Sequence, residues 1–259
     1  MLRVENLTKV YDDGTVALRD LSFQVEDRAF MVVIGLSGSG KSTLLRCINR
    51  LIEPTKGRIL WNDTDITKLQ GADLRHYRRK VGMVFQQFNL VLRSSVMTNV
   101  LSGRLGYTSP WRSLIDSWSR DDRQRARRAL ERVGLTEKGQ NRADQLSGGQ
   151  QQRVGIARAL MQDPDLILAD EPVASLDPVL AHTILGYLEK LNKEDGITVV
   201  CSLHYLDLVQ RYGTHVIGLR DGRLVFEGNN EDIRQMTDER FKDIYGEEAV
   251  RISATSITG

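Results

Sequence analysis

The chain is expected to fold as an α/β protein with a parallel-sheet core, an antiparallel β subdomain ahead of it and an α-helical subdomain inserted into it. Three observations predict this. Phe30-Met31-Val32-Val33-Ile34 is an apolar run that enters Gly35-Leu36-Ser37-Gly38-Ser39-Gly40-Lys41-Ser42, and an apolar-periodic segment over 43–52 follows. Leu166-Ile167-Leu168-Ala169 and Ile197-Thr198-Val199-Val200-Cys201 are short runs of the kind found in strands buried on both faces. Residues 88–160 differ in texture, with helical periodicity and many charges.

From the N-terminus, residues 2–34 read as short strands broken by turn signals at Asp12-Asp13-Gly14 and Glu26-Asp27. Leu21-Ser22-Phe23-Gln24-Val25 alternates as a half-buried strand does. After the glycine loop and its helix, Pro54-Thr55-Lys56-Gly57 is a turn, Arg58–Trp61 a strand and 73–80 a basic helix. Val81–Phe85 is a strand that runs into Gln86-Gln87. Helices are expected over 96–105, 121–133 and 179–191, the last opened by Pro178. A hairpin turns at Asp221-Gly222, and short polar helices and a Ser/Thr tail follow Gly228. The core is thus assigned to 1–87 and 161–228, the helical subdomain to 88–160, and the C-terminal helices and tail to 229–259.

Composition narrows the function. The 259 residues suffice for a sizeable core, and a net charge of +2 is too small for an electrostatic nucleic-acid binder. Cys47 and Cys201 lie in apolar runs and suit reduced, buried thiols. The N-terminus does not read as a signal peptide, and no window approaches the length that spans a bilayer. Any work at a membrane would need another chain. Arg104, Arg112, Arg120, Arg123, Arg125, Arg127, Arg128 and Arg132 form a basic cluster interleaved with Asp116, Asp121, Asp122 and Glu131. That mixture reads as a solvated helical face rather than a nucleic-acid or lipid surface.

The chemistry starts at the glycine loop. Strand, glycine loop and helix in succession are the context of a phosphate cradle: Gly35, Gly38 and Gly40 let backbone N–H groups converge on an anion, and Ser37 and Ser39 lie between them. The helix beginning at Lys41 adds the positive end of its dipole. Lys41 can reach β- and γ-phosphates, and the Ser42 hydroxyl is placed for Mg²⁺, with Thr43 next in line. The chain is expected to bind a nucleoside triphosphate. Tyr11 could stack on an adenine ring or be an ordinary half-exposed strand tyrosine. Gln86 could coordinate metal or orient water, or be a plain loop residue.

A second glycine-bearing helix start is Leu146-Ser147-Gly148-Gly149-Gln150, where Ser147 is an N-cap and the glycines leave N–H groups accessible. At the end of the 166–169 strand, Asp170 can hold a Mg²⁺ shell. Glu171 can act as general base toward water or as an outer carboxylate of the metal. Ser175-Leu176-Asp177 follows in a loop. His204 ends the 197–201 strand segment at the sheet edge where α/β proteins place ligands; it can contact a γ-phosphate or serve the fold alone.

Taken together these residues resemble the ATP-binding cassette (ABC) ATPases, in the family's order, over about residues 2–245. Gly35–Ser42 is similar to the Walker A loop, Tyr11 to the adenine-stacking aromatic and Gln86 to the Q-loop glutamine. Leu146–Gln150 is similar to the signature. Asp170 and Glu171 match Walker B and the catalytic glutamate, Ser175–Asp177 the D-loop, and His204 the switch histidine. The resemblance implies a P-loop (RecA-like) NTPase core, ATP and Mg²⁺ as cofactors, and a head-to-tail dimer with a second copy, in which Ser147 of one copy contacts the phosphate held by Lys41 of the other. It also implies transmembrane permease subunits docked at the Gln86 region and helical subdomain, an extracytoplasmic solute-binding protein and no nucleic acid. The place of action would be the cytoplasmic face of a bacterial or archaeal inner membrane.

A finer likeness lies in Ser102–Leu114, in Asp170–Pro178 and in Phe241-Lys242-Asp243-Ile244-Tyr245-Gly246. These look like the ATPase subunit of phosphonate importers. Importers of phosphate, phosphite or amino acids are the alternatives. Cassette ATPases acting on nucleic acid would carry long coiled coils between the two motifs, and the intervening stretch here lacks heptads.

Overall fold

The computed structural model describes residues 1–108 and 118–246. They form two compact units, one made of residues 1–68 with the described residues from 200 onward, the other of residues 69–199. Residues Ser109–Leu114 of the finer likeness, with Arg112 and Asp116 of the basic cluster, lie outside the described residues.

In the first unit, β1 (Leu2–Val10) pairs antiparallel with β2 (Val16–Val25), and β3 is Phe30–Ile34. Along β2, Leu18, Leu21, Phe23 and Val25 turn inward between exposed neighbours, the alternation a one-sided sheet requires. All five residues of β3 are buried, as expected of a strand covered on both faces. Helix α1 (Lys41–Ile48) follows the glycine loop. It is shorter than the 43–52 pattern suggests, because Arg50 takes left-handed backbone (φ 54°) and Leu51 is turned out to solvent. β4 (Lys56–Trp61) pairs with β1, and β5 (Thr64–Asp65) with β4, completing a four-stranded antiparallel sheet.

The second unit opens with α2 (Gly71–Arg79) and β6 (Val81–Val84). Helix α3 (Val96–Leu101) stops short of the expected Leu105, and a 3₁₀ segment over Ser102–Tyr107 takes its place. Gly103 explains the change, since a Cβ there would lie under 3.0 Å from the Arg158 carbonyl oxygen. The backbones approach too closely for a regular helix with side chains. α4 (Arg120–Arg132) buries Ala126, Ala129 and Leu130 and exposes its arginines, of which Arg125 pairs with Asp121 one turn back. α5 (Gly148–Leu160) precedes β7 (Leu166–Ala169), which runs parallel to β6 from Val81↔Leu166 to Val84↔Ala169. α6 (Pro178–Asp195) extends a full turn beyond the expected Leu191.

β8 (Thr198–Ser202) begins in the second unit, where the Thr198 amide donates to the Asp165 carbonyl, and ends in the first, where the Leu203 amide donates to the Val33 carbonyl. The first unit then adds α7 (Leu206–Tyr212), β9 (His215–Arg220) and β10 (Arg223–Gly228). β9 runs parallel to β3 from Met31↔His215 to Ile34↔Gly218, and β10 returns antiparallel across the Asp221-Gly222 turn, as expected. Short helices α8 (Asn230–Arg234) and α9 (Asp238–Tyr245) close the described chain. Among the described residues, no helix is long and apolar enough to cross a membrane.

Both cysteines are free and fully buried. Burial pushes the Cys47 thiol up to about 12, so at pH 8 only ~10⁻⁴ of it is thiolate. A thiol reagent at pH 8 should therefore label the folded protein at neither cysteine and both after denaturation. Labelling of Cys47 in the native state at the rate of a model thiol would contradict this burial.

Candidate functional site

The predicted residues fall into two clusters, one per unit. In the first unit, β3 delivers the chain to Gly35 at φ 143°, a conformation glycine adopts cheaply and in which a Cβ would lie under 3.0 Å from the Leu219 carbonyl oxygen. Ser37 and Gly38 are exposed at the tip, and Gly38 has φ 80° with open space around it. Gly40 is the N-cap of α1 and offers no side chain to its free N–H groups, which leaves them available to an anion. The Lys41 ammonium is 3% exposed and donates to the carbonyls of Gly35 and Leu36, both at 2.9 Å. A cation is thus held inside the loop, aimed by the loop's own backbone. Ser39 is buried, and its hydroxyl has no hydrogen-bond partner among the described residues.

Ser42 and Thr43 follow, half-buried in the first turn of α1. The Tyr11 hydroxyl lies 3.1 Å from Thr43 Oγ1, which brings the aromatic to the mouth of the glycine loop. Lys9 Nζ sits 5.3 Å from the centre of the same ring. His204 is half-buried one residue beyond Leu203, whose amide is bonded to Val33 just ahead of the loop. The unit therefore gathers Tyr11, the loop, Ser42, Thr43 and His204 around the carboxyl end of β3.

In the second unit the parallel pairing of β6 and β7 sends both strands out at one edge. The Asp170 amide donates to the Val84 carbonyl at 2.9 Å, so Asp170 leaves the sheet beside the turn that carries exposed Gln86. Asp170 is 2% exposed, whereas Glu171 is half-buried in left-handed backbone at φ 47°. Non-glycine residues hold such geometry only where the surroundings impose it, and they collect at functional positions. Asp177 caps α6, its carboxylate accepting from the Leu180 amide at 3.0 Å.

Ser147 and Gln150 cap α5 reciprocally. The Ser147 hydroxyl accepts from the Gln150 amide at 3.4 Å, and the Gln150 carboxamide oxygen accepts from the Ser147 amide at 3.0 Å. Gln150 is thereby committed to holding Ser147, whose hydroxyl, accepting from the Gln150 amide, keeps its own proton to donate. Gly148 is exposed; Gly149 is buried against Leu180, and a Cβ on Gly148 would lie 3.7 Å from Phe88 and 3.8 Å from Leu176. This helix start therefore adjoins the loops carrying Gln86 and Asp177. Sequence reasoning did not single out Arg158, which touches the Gln86 loop through two hydrogen bonds. The available signal was a cation inside the apolar run Val154–Leu160.

The donors suit a hard cation. Among the described residues no three His, Cys, Asp or Glu side chains cluster to hold a metal alone. Asp170 in the second unit, a buried carboxylate, and Ser42 in the first, a half-buried hydroxyl, are each oxygen donors of the kind Mg²⁺ takes alongside phosphate and water.

Comparison with known proteins gives a consistent picture. The ABC transporter family matches residues 18–174. A Bdellovibrio bacteriovorus protein called phosphonates import ATP-binding protein PhnC is 52% identical over 258 residues, covering 99% of this chain and 98% of that protein. The protein of the same name from Staphylococcus saprophyticus is 50% identical over 245 residues, covering 95% and 94%. Among solved structures, the dimeric structure of MJ0796, a bacterial ABC transporter cassette, is 37% identical with a TM-score of 0.79, covering 89% of this chain and 99% of that one. The ADP conformation of the cassette MJ1267 is 32% identical with a TM-score of 0.81, covering 98% of each chain.

The two loop glycines should respond differently to a methyl group. Gly35→Ala combines a steric clash with left-handed backbone and should destabilise by about 2–4 kcal/mol. Gly38→Ala meets nothing and should cost only about 1 kcal/mol, the backbone penalty alone. Urea unfolding of the two variants checks the order; equal losses would contradict the loop geometry.

Proposed function

Because this chain belongs to the ABC transporter family, we propose that it is the ATP-hydrolysing subunit of an importer and that the imported solute is a phosphonate. The observation that carries the reading is the presence, in one chain, of two helix starts opened by glycine, the Gly35–Ser42 loop and Ser147–Gly149. A triphosphate needs many donors and dispersed positive charge, and each start supplies part of that. The names of the relatives, all at about half identity over nearly the whole length, support the solute.

In this reading the Gly35–Ser42 amides and Lys41 bind the phosphates, and Tyr11 stacks on the base. Ser42, Asp170 and Gln86 would hold Mg²⁺, which when bound neutralises charge on the terminal phosphates. Glu171 accepts a proton from the attacking water, and His204 donates to the γ-phosphate. Ser147, Gly148 and Gly149 serve the nucleotide of a second copy, with Asp177 alongside, so that ATP joins two chains by a two-fold axis. Hydrolysis removes the contacts that favour the closed pair. Residues 88–160 form the helical subdomain that meets the permease, and the permease holds the chain at the cytoplasmic face of the membrane. A solute-binding protein outside delivers the phosphonate.

Glu171→Gln should keep ATP affinity within a few-fold and slow hydrolysis at least ~100-fold, the scale of a lost general base. It should also run as a dimer in ATP and a monomer without it. Phosphate release and size-exclusion chromatography read both effects, and parental turnover would remove Glu171 from the role. Ser147→Arg and Lys41→Ala should each be inactive alone, yet a mixture should regain activity, because one intact composite site can assemble from the two defects. A mixture as inactive as its components argues against shared sites. ATPase of the reconstituted complex should rise with phosphonates and stay flat with phosphate, phosphite or amino acids; the opposite ranking would reassign the solute.

A further inference from the structure

The loop beyond β6 contains two consecutive non-glycine residues in left-handed backbone, Phe88 at φ 54° and Asn89 at φ 50°. Asparagine takes such backbone readily, but phenylalanine does not, so the conformation at Phe88 is one its surroundings hold. The holding group is Arg158 on α5. Its Nη2 donates to the Phe88 carbonyl at 2.8 Å and its Nη1 to the Asn89 carbonyl at 2.5 Å. A guanidinium presents its donors in a rigid planar fork, and here the fork spans two successive carbonyls with less freedom than the rotating ammonium of a lysine would have.

Among the described residues Arg158 is hydrogen-bonded to these two carbonyls and paired with no carboxylate. Burial pulls its pKa downward. An arginine serving solubility would face water, and one serving general stability would sit in an ion pair. The backbone beneath it is fixed as well. Gly103 approaches so closely that a Cβ would fall under 3.0 Å from both the Arg158 carbonyl oxygen and Met161 Cβ. Arg158 is thus a rigid post, and the loop two residues past Gln86 is tied to it. About three turns up the same helix is Ser147.

We propose that Arg158 is a positioning residue that locks the loop of Gln86 to the helix of Ser147, so that the two move as one body during the ATP cycle. The inference rests on the roles given above to Gln86 and Ser147. It adds that neither can shift alone, and that a force applied to the loop reaches the helix through the Arg158 guanidinium as well as through the direct approach of Phe88 to Gly148.

The test uses Arg158→Met and Arg158→Lys in the full chain, with Ile156→Val on the same helix as a control for general loss of stability. The amides of Phe88 and Asn89 are bonded to the carbonyls of Phe85 and Gln87, so their hydrogen exchange can be followed. Exchange at these amides should rise about tenfold or more in Arg158→Met and less in Arg158→Lys, with α4 unaffected. The KM for ATP should stay within about twofold while kcat falls about tenfold, because the lost contact acts after nucleotide is bound. Should Arg158→Met not fold, Arg158→Lys carries both readouts. Parental exchange at Phe88 and Asn89 in the variants overturns the proposal, and so does a fall in kcat no larger than Ile156→Val gives at equal loss of Tm. A parental protein that hydrolyses no ATP would overturn the proposed function instead, while the exchange comparison would still decide the lock.

Discussion

A triphosphate can be held in a protein only where backbone N–H groups and a fixed cation converge without side chains in the way, and the structure is arranged around that demand. Four consecutive covalent decisions meet it in the first unit. β3 is buried and stiff, Gly35 turns the chain where a Cβ would strike the Leu219 carbonyl, Gly40 caps α1 without competing for its amides, and Lys41 is anchored on the Gly35 and Leu36 carbonyls. The ammonium is almost wholly buried, which is affordable because its donors are already satisfied by carbonyl oxygens. In the proposed function phosphate oxygens need only displace those carbonyls, and the cation need not be brought in from solvent.

The second unit has an opposite distribution of order. The side chains proposed to serve a second copy's nucleotide are committed to local caps. Gln150 holds the Ser147 amide, Ser147 accepts from the Gln150 amide, and Asp177 accepts from the Leu180 amide. These bonds use the amides of Ser147, Gln150 and Leu180 as donors and the three side chains only as acceptors. A hydroxyl that accepts from its own helix still has its proton to give. The arrangement keeps rotamer entropy low before any ligand arrives, which is the general condition for tight and selective anion binding.

Much of this was legible in the residues, and the reasons are local. Period-2 alternation placed β2, uninterrupted apolar runs placed β3 and β7, and the Asp221-Gly222 pair placed its hairpin, because each of these signals is decided within a few residues. What stayed hidden depended on distant partners. Gly103 ends the regular part of α3 because the Arg158 carbonyl passes close by, and α1 stops at Ile48 because Arg50 turns left-handed. Neither fact has a local signature. Arg158 itself was passed over because a cation in an apolar helix reads as surface until the carbonyls it serves are seen.

Glu171 shows how a strand end places two adjacent carboxylates in different surroundings. Asp170 continues the β7 ladder through its amide bond to Val84 and is sealed from water. One residue later the backbone flips to φ 47°, which ends the ladder and turns the next side chain into a different, half-open environment. Had Glu171 stayed extended, the pleat would simply have sent it to the opposite face of the sheet. The left-handed step costs of order 1 kcal/mol, and what it yields is a second carboxylate leaving the same sheet edge with separate access to solvent. A buried acid beside a half-exposed one matches the division the proposed function asks of this pair, a carboxylate fixed for a metal and one that meets water. The backbone at residue 171, more than the acid's identity, is what creates that division.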